Sequence, residues 1–96
     1  MSDILITGGS GLVGKHLQKF LKEEKYLSSL DVDLTNYKET RDVIRYYHPK
    51  RVIHLAARVG GIEDNMNYPI DYLETNLAID TNVLKASYEQ GVERLT

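Results

Sequence analysis

The chain has 96 residues, of which 42% are apolar and 27% are charged, a composition typical of an ordinary globular domain. A formal net charge of −2, no basic run and no apolar run of membrane-spanning length predict neither a nucleic-acid surface nor a membrane protein. The lack of cysteine excludes disulfides and thiolate chemistry, and the start Met1-Ser2-Asp3 has no signal-peptide pattern, which favours a cytoplasmic protein.

The first predicted elements are a short strand, a glycine-rich turn and a helix. Residues 4–6 are apolar and predict a buried strand, after which glycines recur at positions 8, 11 and 14. Strand, glycine turn and helix in this order open a dinucleotide-binding βαβ unit. The helix is predicted to be amphipathic, because apolar residues recur on one face at helical spacing: Val13, Leu17, Phe20 and Leu21.

Each glycine has a separate role in such a unit. Gly8 permits the tight turn out of the strand, Gly11 lets a pyrophosphate approach the backbone, and Gly14 lets the helix pack closely on the strand. The N–H groups of the first helical turn would then hold the phosphates. The alternative is a Gly-rich loop that only connects strand and helix. The candidate cofactor-binding residues here are Gly8, Gly9, Ser10, Gly11, Leu12, Val13 and Gly14.

The spacing Gly-x-x-Gly-x-x-Gly resembles that of the extended short-chain dehydrogenase/reductase families, whose first strand ends in Thr-Gly-x-x-Gly-x-x-Gly. In those families an Asp-Leu pair after a short third strand lies beside the adenine, and the resemblance implies this role for Asp33 and Leu34. A helix-capping loop is the other interpretation, because Asn36 and Glu39 have the spacing of a capping box. Both can hold, since Asp33 precedes the cap.

The second strand, predicted from residue 25 to residue 30, bears on the choice of cofactor. An acidic residue at the end of this strand binds ribose hydroxyls and selects NAD. The strand is predicted to end at Ser28 and Ser29 without a carboxylate, although Asp31 is only two residues further on. The pattern therefore favours NADP(H), whose 2′-phosphate would bind the hydroxyl of Ser29 and a nearby cation. No Arg provides the usual phosphate clamp at this position.

The middle of the chain predicts a helix and a buried strand. The helix covers residues 38–47, with Val43, Ile44 and Tyr47 inward, and Pro49 ends it. The strand over residues 51–57 ends in small residues, a pattern that fits a ligand passing close to the backbone at the switch point of a sheet. The candidate cofactor-binding residues there are Leu55, Ala56 and Ala57.

A long helix is predicted from Pro69, which suits a first turn, to Gly91, which suits a C-cap. Polar residues interrupt its apolar stripe at Asn76, Asp80 and Ser87. A mixed face of this kind can pack against a sheet or pair with a second subunit.

The predicted fold class is α/β, a Rossmann-like doubly wound parallel sheet that is incomplete, with the N-terminal strands and helices only. Residues 93–96 lead into a further strand. In the expected strand order 3-2-1-4-5, the strand that ends in Leu-Ala-Ala would be an exposed apolar edge. This exposure predicts marginal stability of the chain by itself.

Other polar residues give no catalytic or metal site. Tyr46 and Lys50 have a Tyr-x-x-x-Lys spacing, but Pro49 breaks the helix that would place both side chains on one face. The three histidines lack metal-ligand spacing. His16 is interpreted as a solvated helix residue, and His48 as a cation at a helix end. His54 is interpreted as a core residue whose hydrogen bonds are satisfied.

The whole chain is similar to one narrower family, the GDP-L-fucose synthases. The glycine motif and Leu-Ala-Ala belong to the entire extended superfamily, whereas Val59-Gly60-Gly61-Ile62, Asn65-Met66 and Tyr68-Pro69 are more specific. The resemblance implies a homodimeric, NADPH-dependent enzyme. Such an enzyme epimerises GDP-4-keto-6-deoxymannose and then reduces the ketone, which gives GDP-L-fucose.

That family reduces with a Ser-Tyr-Lys set and epimerises with a Cys and a His, and none of these matches a residue of this sequence. No catalytic residue is assigned, and residues 1–96 are expected to be the N-terminal part of an NAD(P)-binding Rossmann domain without a substrate domain. One alternative is a short protein that binds a nucleotide without chemistry, or whose site a partner completes. Another is a different nucleotide-sugar epimerase or dehydratase, which the Val59-Gly60-Gly61-Ile62 loop disfavours.

Overall fold

A computed structural model describes residues 3–9, 11–56 and 69–96 of the chain. Strands and helices alternate along these residues. In chain order the elements are β1 (Ile4–Thr7), α1 (Leu12–Leu17), β2 (Lys25–Leu27), α2 (Tyr37–Tyr47), β3 (Arg51–His54), α3 (Pro69–Glu89) and β4 (Arg94–Leu95). None of the described helices is both long and apolar enough to cross a membrane.

The four strands form one parallel sheet in the order β2-β1-β3-β4. The chain moves from β1 outward to β2, then returns across β1 to β3 and continues to β4. Because parallel crossovers are right-handed, this reversal puts α1 on one face of the sheet and both α2 and α3 on the other. The packing of α2 against α3 agrees with that arrangement. The predicted doubly wound parallel sheet is confirmed.

The expected exposed edge is wrong. The strand that leads to Leu55 and Ala56 is β3, and it lies between β1 and β4. Thr96 N–H donates to Val52 at 2.9 Å, and His54 N–H donates to Thr96 at 2.8 Å, so the last residues of the chain cover β3. The argument for marginal stability from an uncovered β3 therefore does not hold.

The third strand expected before Asp33 is also absent, because residues 28–36 form turns. Asp31 N–H donates to the Ser28 carbonyl at 3.0 Å, and Asn36 N–H donates to the Asp33 carbonyl at 3.0 Å. Val32 and Leu34 are nevertheless buried. Their side chains serve the core without joining the sheet.

The predicted apolar face of helix α1 is confirmed only in part, because Leu17 and Leu21 are half-buried. Val13 and Phe20 are exposed, and the helix ends at Leu17. Gly14 is buried in the helix, and its neighbour Val13 faces solvent. The chain then tightens, since Phe20 N–H donates to the Leu17 carbonyl at 2.9 Å. This tighter turn rotates Phe20 off the face that an α-helix would give it.

Helix α2 begins one residue before the predicted start and ends at the predicted residue, Tyr47. Half of the capping box forms, because Glu39 N–H donates to Asn36 Oδ1 at 3.0 Å. The Glu39 carboxylate accepts from Asp33 N–H at 3.3 Å rather than from Asn36. Ile44 is buried as predicted, while Val43 and Tyr47 are half-buried.

Helix α3 ends at Glu89, and the predicted C-cap glycine, Gly91, is left-handed with φ +75°. Val92 N–H donates to the Ser87 carbonyl at 2.9 Å, and Gly91 N–H donates to the Tyr88 carbonyl at 3.2 Å. These two bonds form the Schellman pattern. The helix contributes to a core shared with α2 and the sheet. The buried residues of this core are Leu5, Leu27, Val32, Leu34, Ile44, Val52, Ile79, Val83 and Ala86.

Candidate nucleotide-binding site

The strand order creates a switch point at the carboxyl ends of β1 and β3. The chain leaves β1 through the glycine turn toward β2, whereas β3 leads to an element on the opposite face. In open parallel sheets the crevice at such a point is the usual place where ligands bind. Most of the predicted site residues lie at this end of the sheet.

The glycine turn is held against both neighbouring strands. Gly8 has φ +73°, and a Cβ atom there would lie 2.7 Å from the backbone N of Ala56. Gly9 N–H donates to the Leu27 carbonyl at 2.8 Å, which ties the turn to the end of β2. The predicted tight turn at Gly8 is thus a structural requirement, because both its φ and its closeness to β3 exclude a side chain.

Gly11 is placed differently from Gly8 and Gly14. A Cβ atom at Gly14 would lie 2.5 Å from Gly8 O, whereas a Cβ atom at Gly11 would lie 3.4 Å from that oxygen. Ordinary packing therefore allows a side chain at Gly11, which is exposed and N-caps α1 without a side-chain hydrogen bond. Val13 follows in α1 and is exposed, while Ser10 lies outside the described residues.

The Asp31 carboxylate folds back to Ser28, the residue that follows β2. The strand ends at Leu27, and Asp31 Oδ2 accepts from Ser28 N–H at 2.8 Å and from Ser28 Oγ at 3.2 Å. The backbone hydrogen bond from Ser28 lowers the pKa of Asp31, with smaller help from the Ser28 hydroxyl and Lys25. The Ser-x-x-Asp spacing of residues 28–31 is the sequence signal for this turn. The strand itself ends without a carboxylate, one residue before the predicted Ser28, and Asp31 reaches Ser28 only through the turn that follows. Ser29 is exposed in this turn.

The Asp33-Leu34 pair is anchored from both sides. Asp33 Oδ1 accepts from Thr35 N–H at 3.0 Å and from Thr35 Oγ1 at 2.5 Å. The Leu34 side chain is buried, and its carbonyl oxygen accepts from Asn82 Nδ2 of α3 at 2.9 Å. Of this pair, only the exposed Asp33 side chain and backbone atoms are therefore placed to contact a ligand.

The end of β3 is joined to β1 through a hydroxyl. Thr7 Oγ1 accepts from Leu55 N–H at 3.1 Å and from Ala56 N–H at 3.2 Å. His54, on the same strand, bonds Thr7 through Nδ1 and Asp80 through Nε2. The interpretation of His54 as a satisfied histidine is confirmed. Ala57, the last residue predicted in this group, lies outside the described residues.

Tyr46 and Lys50 do not form a reactive pair. Tyr46 is exposed near the end of α2, whereas Lys50 lies beyond the helix and its N–H donates to the Asp3 carbonyl at 2.9 Å. Despite their spacing in the sequence, the two residues do not lie on one face of a helix. Among the described residues no three His, Cys, Asp or Glu side chains are grouped as metal ligands would be.

Known proteins resemble this chain over nearly its whole length. The model of the NAD dependent epimerase/dehydratase family matches residues 4–96. A probable GDP-L-fucose synthase of Drosophila melanogaster is 45% identical over 98 residues, covering 95% of this chain and 30% of the relative. The GDP-L-fucose synthase of Dictyostelium discoideum is 42% identical over 93% of this chain and 30% of its own length. The chain thus spans about a third of these relatives.

Solved structures show the same likeness. A GDP-L-fucose synthetase from Naegleria fowleri bound to NADP superposes with a TM-score of 0.79 at 38% identity, covering 96% of this chain and 31% of that one. A protein named DdhaC superposes with a TM-score of 0.90 at 36% identity, covering 98% and 28%. Since the family model matches nearly every residue, the chain belongs to the NAD dependent epimerase/dehydratase family.

Proposed function

We propose that this chain is the NADP(H)-binding, N-terminal part of a GDP-L-fucose synthase-like enzyme. The observation that carries the proposal is the glycine turn at the switch point, where Gly8 is held against β3 while a Cβ atom at Gly11 would meet only Gly8 O, at 3.4 Å. The likeness to GDP-L-fucose synthases over almost the whole chain supports the substrate class. In this proposal residues 1–96 belong to one Rossmann domain, and the substrate domain lies elsewhere.

The residues of this chain would bind and orient the cofactor. Gly8, Gly9 and Gly11 would accommodate the pyrophosphate beside the backbone, and the first turn of α1 would face it. Asp33 would accept from the adenine amino group through the carboxylate oxygen that Thr35 leaves free. Leu55 and Ala56 would pass behind the cofactor, since their N–H groups already donate to Thr7.

The complete enzyme would act on GDP-4-keto-6-deoxymannose by epimerisation followed by reduction. NADPH supplies the hydride for the ketone carbon when it is bound. The proton donor would be a Tyr of a Ser-Tyr-Lys set beyond the 96 residues, so this chain contributes binding and no catalytic group. The cofactor is proposed as NADP(H) because the Naegleria fowleri structure is described as bound to NADP.

A homodimer is part of the proposal, and α3 offers the surface for it. Five large apolar side chains of this helix are 55–85% exposed: Ile70, Leu73, Leu77, Leu84 and Tyr88. Their spacing places them on one side of the helix, opposite the buried Ile79 and Val83. A second copy of the chain would cover this stripe. A cytoplasmic location completes the proposal.

The decisive experiment supplies the rest of the enzyme. The chain is mixed with the C-terminal part of the Dictyostelium discoideum GDP-L-fucose synthase, and oxidation of NADPH is followed with GDP-4-keto-6-deoxymannose present. Oxidation that requires both parts and yields GDP-L-fucose supports the proposal. NADPH binding without oxidation would favour the non-catalytic module instead. A different sugar nucleotide product would identify another epimerase or dehydratase.

A further inference from the structure

We propose that His54 and Asp80 are positioning residues that fix the spacing between β1 and β3 at the switch point. They act through the hydroxyl of Thr7, the residue before Gly8. The effect on nucleotide binding rests on the proposed function, whereas the effect on the two strands rests on the geometry alone. The side chain of His54 is only 14% exposed, and Asp80 reaches it from α3.

The first step of the argument is the direction of the hydrogen bonds at Thr7. A threonine hydroxyl has two acceptor lone pairs and one hydrogen to donate. Thr7 Oγ1 accepts from Leu55 N–H at 3.1 Å and from Ala56 N–H at 3.2 Å. Both lone pairs are therefore in use, although the Leu55 N–H is shared between this hydroxyl and the Thr7 carbonyl oxygen, at 3.2 Å. The hydroxyl hydrogen is left to donate to His54 Nδ1, which lies 2.6 Å away.

The second step fixes the tautomer of His54. Because Nδ1 accepts from Thr7, the ring proton of the neutral imidazole is on Nε2. Nε2–H then donates to Asp80 Oδ1, which is 2.8 Å away. Donation runs in one direction, from the backbone of β3 through Thr7 and His54 to Asp80. The direction of each of these hydrogen bonds fixes the direction of the next one.

The third step is the place where this chain of bonds lies. The main-chain ladder between β1 and β3 ends where Leu55 N–H donates to the Thr7 carbonyl at 3.2 Å. Ala56 N–H has the Thr7 hydroxyl as its acceptor, so the side chain extends the pairing by one residue. Gly8 lies directly against this residue. A change in the orientation of the hydroxyl would therefore move the Ala56 backbone, against which Gly8 packs.

The test compares four variants by amide hydrogen exchange and by NADPH titration. His54→Phe removes both ring nitrogens, and Asp80→Ala removes the last acceptor. Asp80→Asn keeps a carbonyl acceptor for Nε2–H and serves as the conservative rescue. Glu74→Ala is the matched control, because it removes the same charge from an exposed position of α3. The Ala56 amide is the reporter, and the Leu5 amide in the core of β1 is the internal reference.

We expect Ala56 exchange relative to Leu5 to rise about 10-fold in His54→Phe and about 3-fold in Asp80→Ala, with NADPH affinity falling in parallel. Asp80→Asn and Glu74→Ala should stay within about 2-fold of the parent. Unchanged Ala56 exchange in Asp80→Ala would overturn the inference, even if His54→Phe does not fold. Faster exchange with unchanged NADPH affinity would overturn the positioning role. A parent chain that binds no NADPH would contradict the proposed function, while the exchange data would still test whether His54 and Asp80 hold β1 and β3 together.

Discussion

The backbone carbonyl of Gly8 lies so close to Gly14 that a Cβ atom on Gly14 would approach it to 2.5 Å. The helix α1 therefore packs on the glycine turn itself rather than on the strand before it. The same oxygen accepts from Gly11 N–H at 3.1 Å. The Gly8 carbonyl therefore contacts both of the other glycines of the motif. The three glycines nevertheless differ in what a side chain would do.

Gly14→Ala is expected to destabilise the fold, because the new methyl group would meet backbone atoms that cannot move aside cheaply. We expect a loss of at least about 2 kcal/mol in the free energy of unfolding, measured by urea denaturation. Gly11→Ala is the matched control, with a change of about 0.5 kcal/mol or less. Equal stability of the two variants would contradict the packing described for α1.

Gly11→Asp is expected to abolish NADPH binding without unfolding the chain. A side chain at Gly11 has room in the protein, since its Cβ would be 3.4 Å from Gly8 O. It would, however, occupy the proposed pyrophosphate position with a negative charge. Fluorescence titration should show an affinity lower by at least about 100-fold. NADPH affinity equal to that of the parent would remove Gly11 from the proposed site.

Asp31 should make the stability of the chain depend on acid pH. Ser28 N–H lowers the pKa of Asp31 below its ordinary value of 3.8 in the folded chain. The unfolded chain therefore binds more protons in acid, and stability falls as the pH decreases through the folded pKa. The contribution is fully present above the unfolded value. Thermal unfolding should show the Asp31→Asn variant closest to the parent at pH values below the folded pKa of Asp31 and furthest from it at neutral pH. A difference that is constant with pH would contradict this account.

Ser87→Ala is expected to stabilise the chain. Ser87 Oγ is buried in α3 and has no hydrogen-bond partner among the described residues. Removing it relieves an unpaired polar group and favours the helix, for about 1 kcal/mol or about 4–8 °C in Tm. Thr40→Val is the control, because Thr40 Oγ1 donates to the Asn36 carbonyl at 2.8 Å. That variant should lose about 1 kcal/mol, so the two changes should have opposite signs.

Leu77→Glu is expected to prevent self-association through α3. Leu77 lies in the middle of the apolar stripe and is 55% exposed, so the fold tolerates a charge there while an apolar interface does not. Sedimentation equilibrium should show dimer dissociation increased at least about 10-fold. Leu30→Glu is the matched control, because Leu30 is 95% exposed and lies outside α3. A parent chain that is monomeric at high concentration would contradict the proposed dimer.

The sequence by itself determined the elements whose signals are local. The turn at Gly8, the cap of α2 at Asn36 and the end of α3 at Gly91 all follow from residues within a few positions of one another. Such features depend on backbone conformation and short-range hydrogen bonds, so their residue types reveal them. The glycine motif and the small residues after β3 also indicated which end of the sheet carries the candidate site.

Only the tertiary structure decided the relationships between distant segments. The turn at Ser28 returns Asp31 to the end of β2, although a continuous strand would have carried it away. Gly14, rather than Val13, faces the protein because the turn at Gly8 approaches α1 from that side. His54 meets Asp80, 26 positions along the chain, because α3 brings Asp80 to the end of β3. Periodicity shows which residues share a face of their own element. It does not show what lies against that face, since that depends on how separate elements pack.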